Sequence, residues 1–69
     1  MTPAEQVRAL LASHVGPPAS DDAPITLSSF ELVVLVEELE DAFGLRISAA
    51  QVTPENFRSV ASIVRLVAK

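Results

Sequence analysis

Residues 28–44, SSFELVVLVEELEDAFG, constrain this chain more than any other stretch. They carry a helix start signal, a long helical apolar period and a helix stop signal, in that order. Ser28 followed by Glu31 at the third helical position is a capping box. Gly44 suits the left-handed position that closes a helix. At about 100° of rotation per residue, Leu32, Leu35, Val36, Leu39, Ala42 and Phe43 fall within an arc of roughly 120°, which predicts a core face. The run VVLV lies inside this longer period, so no strand pattern competes with it. A chain of 69 residues with one helix over 29–43 must bury that face against other helices.

The partners are written with the same local signals. Thr2-Pro3-Ala4-Glu5 combines a Thr cap, Pro at the first helical position and Glu at the third. Val7, Leu10, Leu11 and Val15 then follow on one face, predicting a helix over about 3–15 that Gly16-Pro17-Pro18 stops. Residues 16–27, GPPASDDAPITL, form a long connection with Ile25 and Leu27 as its core anchors, and loops of this length in small domains are usually functional or disordered. Thr53-Pro54-Glu55 predicts a short helix over about 54–57 carrying Phe57. Ser59 caps a last helix over about 59–68, striped by Val60, Ile63, Val64 and Val67. The expectation is an all-α fold in one domain spanning 1–69: a small four-helix bundle of three main helices plus a short third.

Several classes of function fall away at once. The chain has no cysteine, so disulfides and thiolate metal sites are ruled out and a reducing compartment is compatible. Its single histidine, His14, reads as a surface or boundary residue near a helix C-terminus and supplies neither a metal site nor a catalytic constellation. Two glycines cannot build a phosphate cradle. Five basic against nine acidic residues give a net charge of −4, which argues against nucleic acid and for partners with basic surfaces. The N-terminal residues do not read as a secretory signal, and no segment has the ~18 apolar residues of a membrane span. A monomeric cytoplasmic protein without enzymatic activity of its own is expected.

What remains is the outer side of the 29–43 helix. Glu31, Glu37, Glu38, Glu40 and Asp41 give it five acids and no base. Taken alone they describe a solvated face. Phe30, Val33 and Val34, however, also lie outside the core arc, and apolar residues rimmed by charge mark interaction surfaces. The combination suits a docking helix that steers basic partners and then buries a few apolar anchors. Of the two serines, Ser28 is accounted for by capping. Ser29 lies in the first turn, beside the partial positive charge of the helix end, where a phosphate ester is favoured.

The stretch LSSFELVVLVEELEDAFGLRI resembles the second-helix signature of the acyl and peptidyl carrier proteins. In that family a D-S-L motif opens an apolar and acidic helix. Ser28-Ser29-Phe30 stands in the D-S-L place, and Leu35, Leu39, Glu40, Phe43, Gly44 and Ile47 match the family's residues downstream of that motif. VTPENFRSVASIVRLV is similar to the family's third and fourth helices. The resemblance implies that Ser29 is esterified by the 4′-phosphopantetheine arm of coenzyme A, added by a phosphopantetheinyl transferase. The arm's thiol then carries an acyl or aminoacyl group as a thioester, loaded by a ligase and passed to downstream synthases or transferases. Phe30, Glu31, Val33, Glu37, Glu38 and Asp41 are the expected docking residues, Glu31 sharing this with capping. Ser28 in place of the usual Asp still caps the helix but removes a charge a modifying enzyme can use. Phe30 enlarges the usual Leu, and Val34 falls where fatty-acid carriers often have an acid. These departures point to a discrete carrier in specialised metabolism or aminoacyl transfer rather than the housekeeping fatty-acid carrier. The alternative is an unmodified carrier-like protein-interaction module.

Overall fold

The computed structural model describes residues 2–68. Within them the fold is all-helical: three α-helices and one 3₁₀ turn, with no strand among the described residues. α1 is Pro3–Ala12, α2 is Ser29–Phe43 and α3 is Val60–Val67; the 3₁₀ turn is Ala49–Gln51. α1 packs against both partners and more extensively on α3 than on α2.

The core is a single cluster. Val7 and Leu11 of α1 meet Leu35 and Leu39 of α2 and Val60, Ile63, Leu66 and Val67 of α3, with Phe57 inserted from the preceding turn. Ile25, Leu27, Ile47 and Val52 pack on its edge from the connections. Without disulfides, this apolar burial is the main stabilising term the fold has.

Local hydrogen bonds explain where each helix starts. Thr2 and Glu5 exchange side-chain bonds with each other's backbone N–H groups at 3.2 and 2.9 Å, opening α1. Ser28 and Glu31 do the same for α2 at 3.2 and 3.0 Å. Ser59 and Ser62 form the equivalent pair for α3, buried rather than exposed. α2 ends where Gly44 adopts φ +63°, a conformation glycine reaches without a Cβ penalty, and both Gly44 and Leu45 donate to the Glu40 carbonyl. The Glu40 carboxylate then accepts from the Ile47 N–H at 2.8 Å, fixing the chain beyond the helix.

Several expectations need correction. α1 stops at Ala12, and His14 and Val15 donate to the Leu11 carbonyl in a closing turn rather than extending the helix to 15. The short helix over 54–57 is a single hydrogen-bonded turn, so the fold is three helices plus a 3₁₀ turn rather than four helices. Phe57 donates to the Thr53 carbonyl, but the turn cannot propagate because Ser59 is fully extended, at φ −158° and ψ 166°, to cap α3. α3 accordingly runs from Val60 to Val67, with Ser59 and Ala68 as its caps. The 3₁₀ turn forms earlier, at Ala49–Gln51, where the Ser48 N–H donates to the Gln51 side chain. On α2, Ala42 is exposed although it sits at the edge of the predicted core arc, and Val34 is half-buried although it sits outside it.

The 13–28 connection is stitched down at three points. The Ile25 N–H donates to the Arg58 carbonyl at 2.8 Å, the Ala61 N–H donates to the Asp21 carbonyl at 2.9 Å, and the Asp21 carboxylate pairs with Arg8 at 2.7 Å. These ties run to α1 and to the start of α3, so they orient the segment that delivers Ser28 and Ser29.

Candidate functional site

The site is built on the first turn of α2. Ser28 is extended at φ −69° and ψ 164°, which turns its hydroxyl onto the Glu31 N–H and its own N–H onto the Glu31 carboxylate. Its carbonyl accepts from Leu32 at 2.9 Å. Ser28 is therefore committed to the cap. Ser29, one residue on, is exposed, and its hydroxyl makes no hydrogen bond among the described residues. The two adjacent serines have separate fates because the N-cap and the first helical position point their side chains in different directions.

The Glu31 carboxyl is held below the ordinary glutamate range, first by the hydrogen bond from the Ser28 N–H and next by the Ser28 hydroxyl. Desolvation opposes this lowering, and the nearby His14 acts in the same direction as Ser28. An ionised Glu31 and the positive end of α2 thus lie together in the turn that carries Ser29.

Further along α2 the outward side is mixed. Phe30 is 78% exposed and Val33 58% exposed. Glu37 and Asp41 are exposed and form no ion pair among the described residues. Glu38 is different: it is half-buried, and its carboxylate meets His14 Nε2 at 2.6 Å, tying the turn after α1 to the middle of α2. Of the six expected docking residues, Phe30, Val33, Glu37 and Asp41 thus stand open. Glu31 and Glu38 each hold an internal partner. The sequence gives no local sign of the His14–Glu38 contact, because the two residues are 24 positions apart and meet only when α1 packs on α2.

Beside the start of α2 lies an apolar groove of about 350 Å³, lined among others by Ile25, Leu27, Leu32, Val52 and Phe57. Leu27 and Leu32 flank the Ser28-Ser29 pair in sequence, so the groove and the exposed hydroxyl share one end of the helix. No three histidine or carboxylate side chains converge as a metal site, and no helix is long and apolar enough to cross a membrane, among the described residues. No family model, curated protein or solved structure matches the chain.

Proposed function

We propose that this chain is a carrier domain: Ser29 holds a 4′-phosphopantetheine arm, and the exposed side of α2 presents it to partner enzymes. The observation that carries this reading is the division of labour between the serines. Ser28 has its hydroxyl in the cap, while Ser29 offers an exposed hydroxyl, without a partner among the described residues, at the positive end of a 15-residue helix. The resemblance of residues 27–47 to the carrier signature supports the same assignment.

The residues present fit the group. Ser29 Oγ would hold the phosphodiester at the first turn of α2, where N–H groups lack intrahelical acceptors and the helix dipole would favour its charge. The arm supplies a terminal thiol able to hold an acyl or aminoacyl group as a thioester, in a chain that has no cysteine. The protein's own residues do the rest. Ser28 and Glu31 fix the turn, Phe30 and Val33 provide apolar anchors beside the attachment point, and Glu37 and Asp41 steer basic partner surfaces. The groove under Leu27 and Leu32 gives an apolar cargo a nearby place to rest.

The second reading, an unmodified protein-interaction module, is favoured by the exposure of Phe30 and Val33, a surface that works without an arm. Intact mass after incubation with a broad-specificity phosphopantetheinyl transferase and coenzyme A separates the two. The carrier gains the mass of one phosphopantetheine, and Ser29→Ala abolishes the gain while Ser28→Ala retains it. A mass that stays unchanged with several transferases favours the module. Reversing Glu37 and Asp41 to Lys slows loading while leaving the helical circular dichroism intact; unchanged kinetics removes those acids from docking.

A further inference from the structure

The chain has five basic residues, and their placement is uneven. Arg8 is paired with Asp21. Arg46, Arg58 and Arg65 are all exposed, and none forms an ion pair among the described residues. These three arginines border two adjoining grooves. Arg58 and Arg65 line a polar groove of about 300 Å³ with Gln51 and Asn56. Arg46 lines the next, of about 350 Å³, whose walls include Phe43, Ile47 and Val67. Gln51 and Leu66 line both, so the two grooves adjoin and make one depression on either side of that pair.

The helix dipole accounts for part of this. Arg65 is in the last turn of α3 and Arg46 follows the end of α2, where cations are favoured. Arg58 stands just before the N-terminus of α3, where the same effect opposes a cation. Its carbonyl is tied to Ile25, yet its guanidinium is left exposed. Neither the helix dipole nor an ion pair among the described residues accounts for the positive charge at 58, which also borders the groove beside the start of α2. Glu55 on the rim and Glu40, which reaches the edge through the Ile47 N–H, oppose the three arginines and leave the depression positive by one charge in a molecule of net charge −4. None of Phe30, Val33, Glu37 and Asp41 lines either groove.

We propose that this depression is a second docking surface, and that its occupant is an acidic amphipathic segment of a partner protein. Carboxylates of such a segment pair with the guanidinium forks of Arg58 and Arg65, and an apolar residue seats on Leu66 between Phe43 and Val67. The mixture decides the class. An anionic lipid surface or a nucleic acid requires a broad basic face, which net charge −4 and five acids on α2 oppose. A single segment needs only the local field, which acts within about 8–10 Å at moderate salt.

The test is a titration of the ¹⁵N-labelled full chain with a short amphipathic peptide of glutamate and leucine at helical spacing, with its lysine and leucine counterpart as control. Saturable shifts confined to the amides of residues 43–67, weakened by salt and absent with the control peptide, are expected. Arg58→Glu with Arg65→Glu weakens the affinity at least about tenfold. Ser29→Ala leaves it unchanged, as does Arg8→Gln outside the grooves, so the outcome is independent of the arm. Arg65→Glu alone, at a position that does not border the groove beside α2, still weakens it. Circular dichroism confirms that the double variant folds. Shifts centred on α2, an unaltered affinity in the double variant, or tighter capture by phosphatidylglycerol vesicles or RNA than by the peptide would overturn the proposal.

Discussion

α2 and α3 are both rich in apolar residues, and the fold uses them differently. α3 buries Val60, Ile63, Leu66 and Val67, together with Ser62, so nearly every apolar residue it has is spent on the core. α2 is almost twice as long, yet only Leu35 and Leu39 are fully enclosed, and Phe30 and Val33 stand in solvent at its N-terminal end. Burial explains most of the apolar content of α3, Val64 and Ala61 being half-buried. In α2 it leaves a surplus, next to Ser29, that folding does not require. A surplus of this kind suits the contact surface proposed for α2.

The largest effect expected from this contrast is on stability. Ile63→Ala removes a side chain with no solvent exposure and should cost about 2–5 kcal/mol, enough to unfold much of a domain this small. Phe30→Ala deletes a larger side chain but should change stability by no more than about 0.5 kcal/mol. Urea titrations of the two variants give the comparison directly. A Phe30 variant destabilised like the Ile63 variant would show that the aromatic ring is part of the core after all.

A smaller effect separates the two serines. Ser28→Ala removes the cap acceptor for Glu31 and should cost about 1 kcal/mol. Ser29→Ala breaks no hydrogen bond among the described residues and should be neutral or slightly stabilising, since Ala is the better helix former. Denaturation midpoints resolve the difference. Equal losses at both positions would mean that Ser29 has a structural duty and is not held in reserve for a partner.

How much of this could be read from the amino-acid sequence depends on how local the cause is. α2 starts and stops at its two signals because Ser28, Glu31 and Gly44 act within a turn of themselves. α1 ends earlier than its apolar period suggests. Val15 continues the spacing, but the chain has already begun to turn toward the connection that Arg8, Arg58 and Ala61 hold in place. The turn at 54–57 carries a helix start signal that is overruled by Ser59, whose extended backbone is demanded by the next helix. Ala42 and Val34 exchange places relative to the predicted arc although they share one flank of α2: Val34 lies a turn before Glu38, which His14 engages, whereas Ala42 lies a turn beyond it, near the helix end. The distinction between Ser28 and Ser29 is local and legible. The engagement of Glu38 by His14 and the gathering of Arg46, Arg58 and Arg65 are tertiary, and no spacing announces them.

The smallest effect distinguishes the caps of the two helices by acid. α3 is capped by Ser59 and Ser62, neither of which titrates, whereas α2 is capped by Ser28 and Glu31. Glu31 is held below its ordinary value by Ser28, so its pKa is lower folded than unfolded. The stability it adds is therefore complete above the unfolded value and is lost as pH falls through the folded one. Glu31→Gln keeps an acceptor at the third position but not the charge. The wild type should thus exceed this variant in urea midpoint at neutral pH, with the gap closing as pH falls below about 4.5. Glu5 behaves in the same way in α1, so some acid dependence persists in the variant. Amide hydrogen exchange localises the change: protection at Glu31 and Leu32 should decline with acid before protection at Ser62 and Ile63. A gap that stays constant with pH would mean that the Ser28–Glu31 pair stabilises α2 through shape alone, and that the two helix starts differ only in burial.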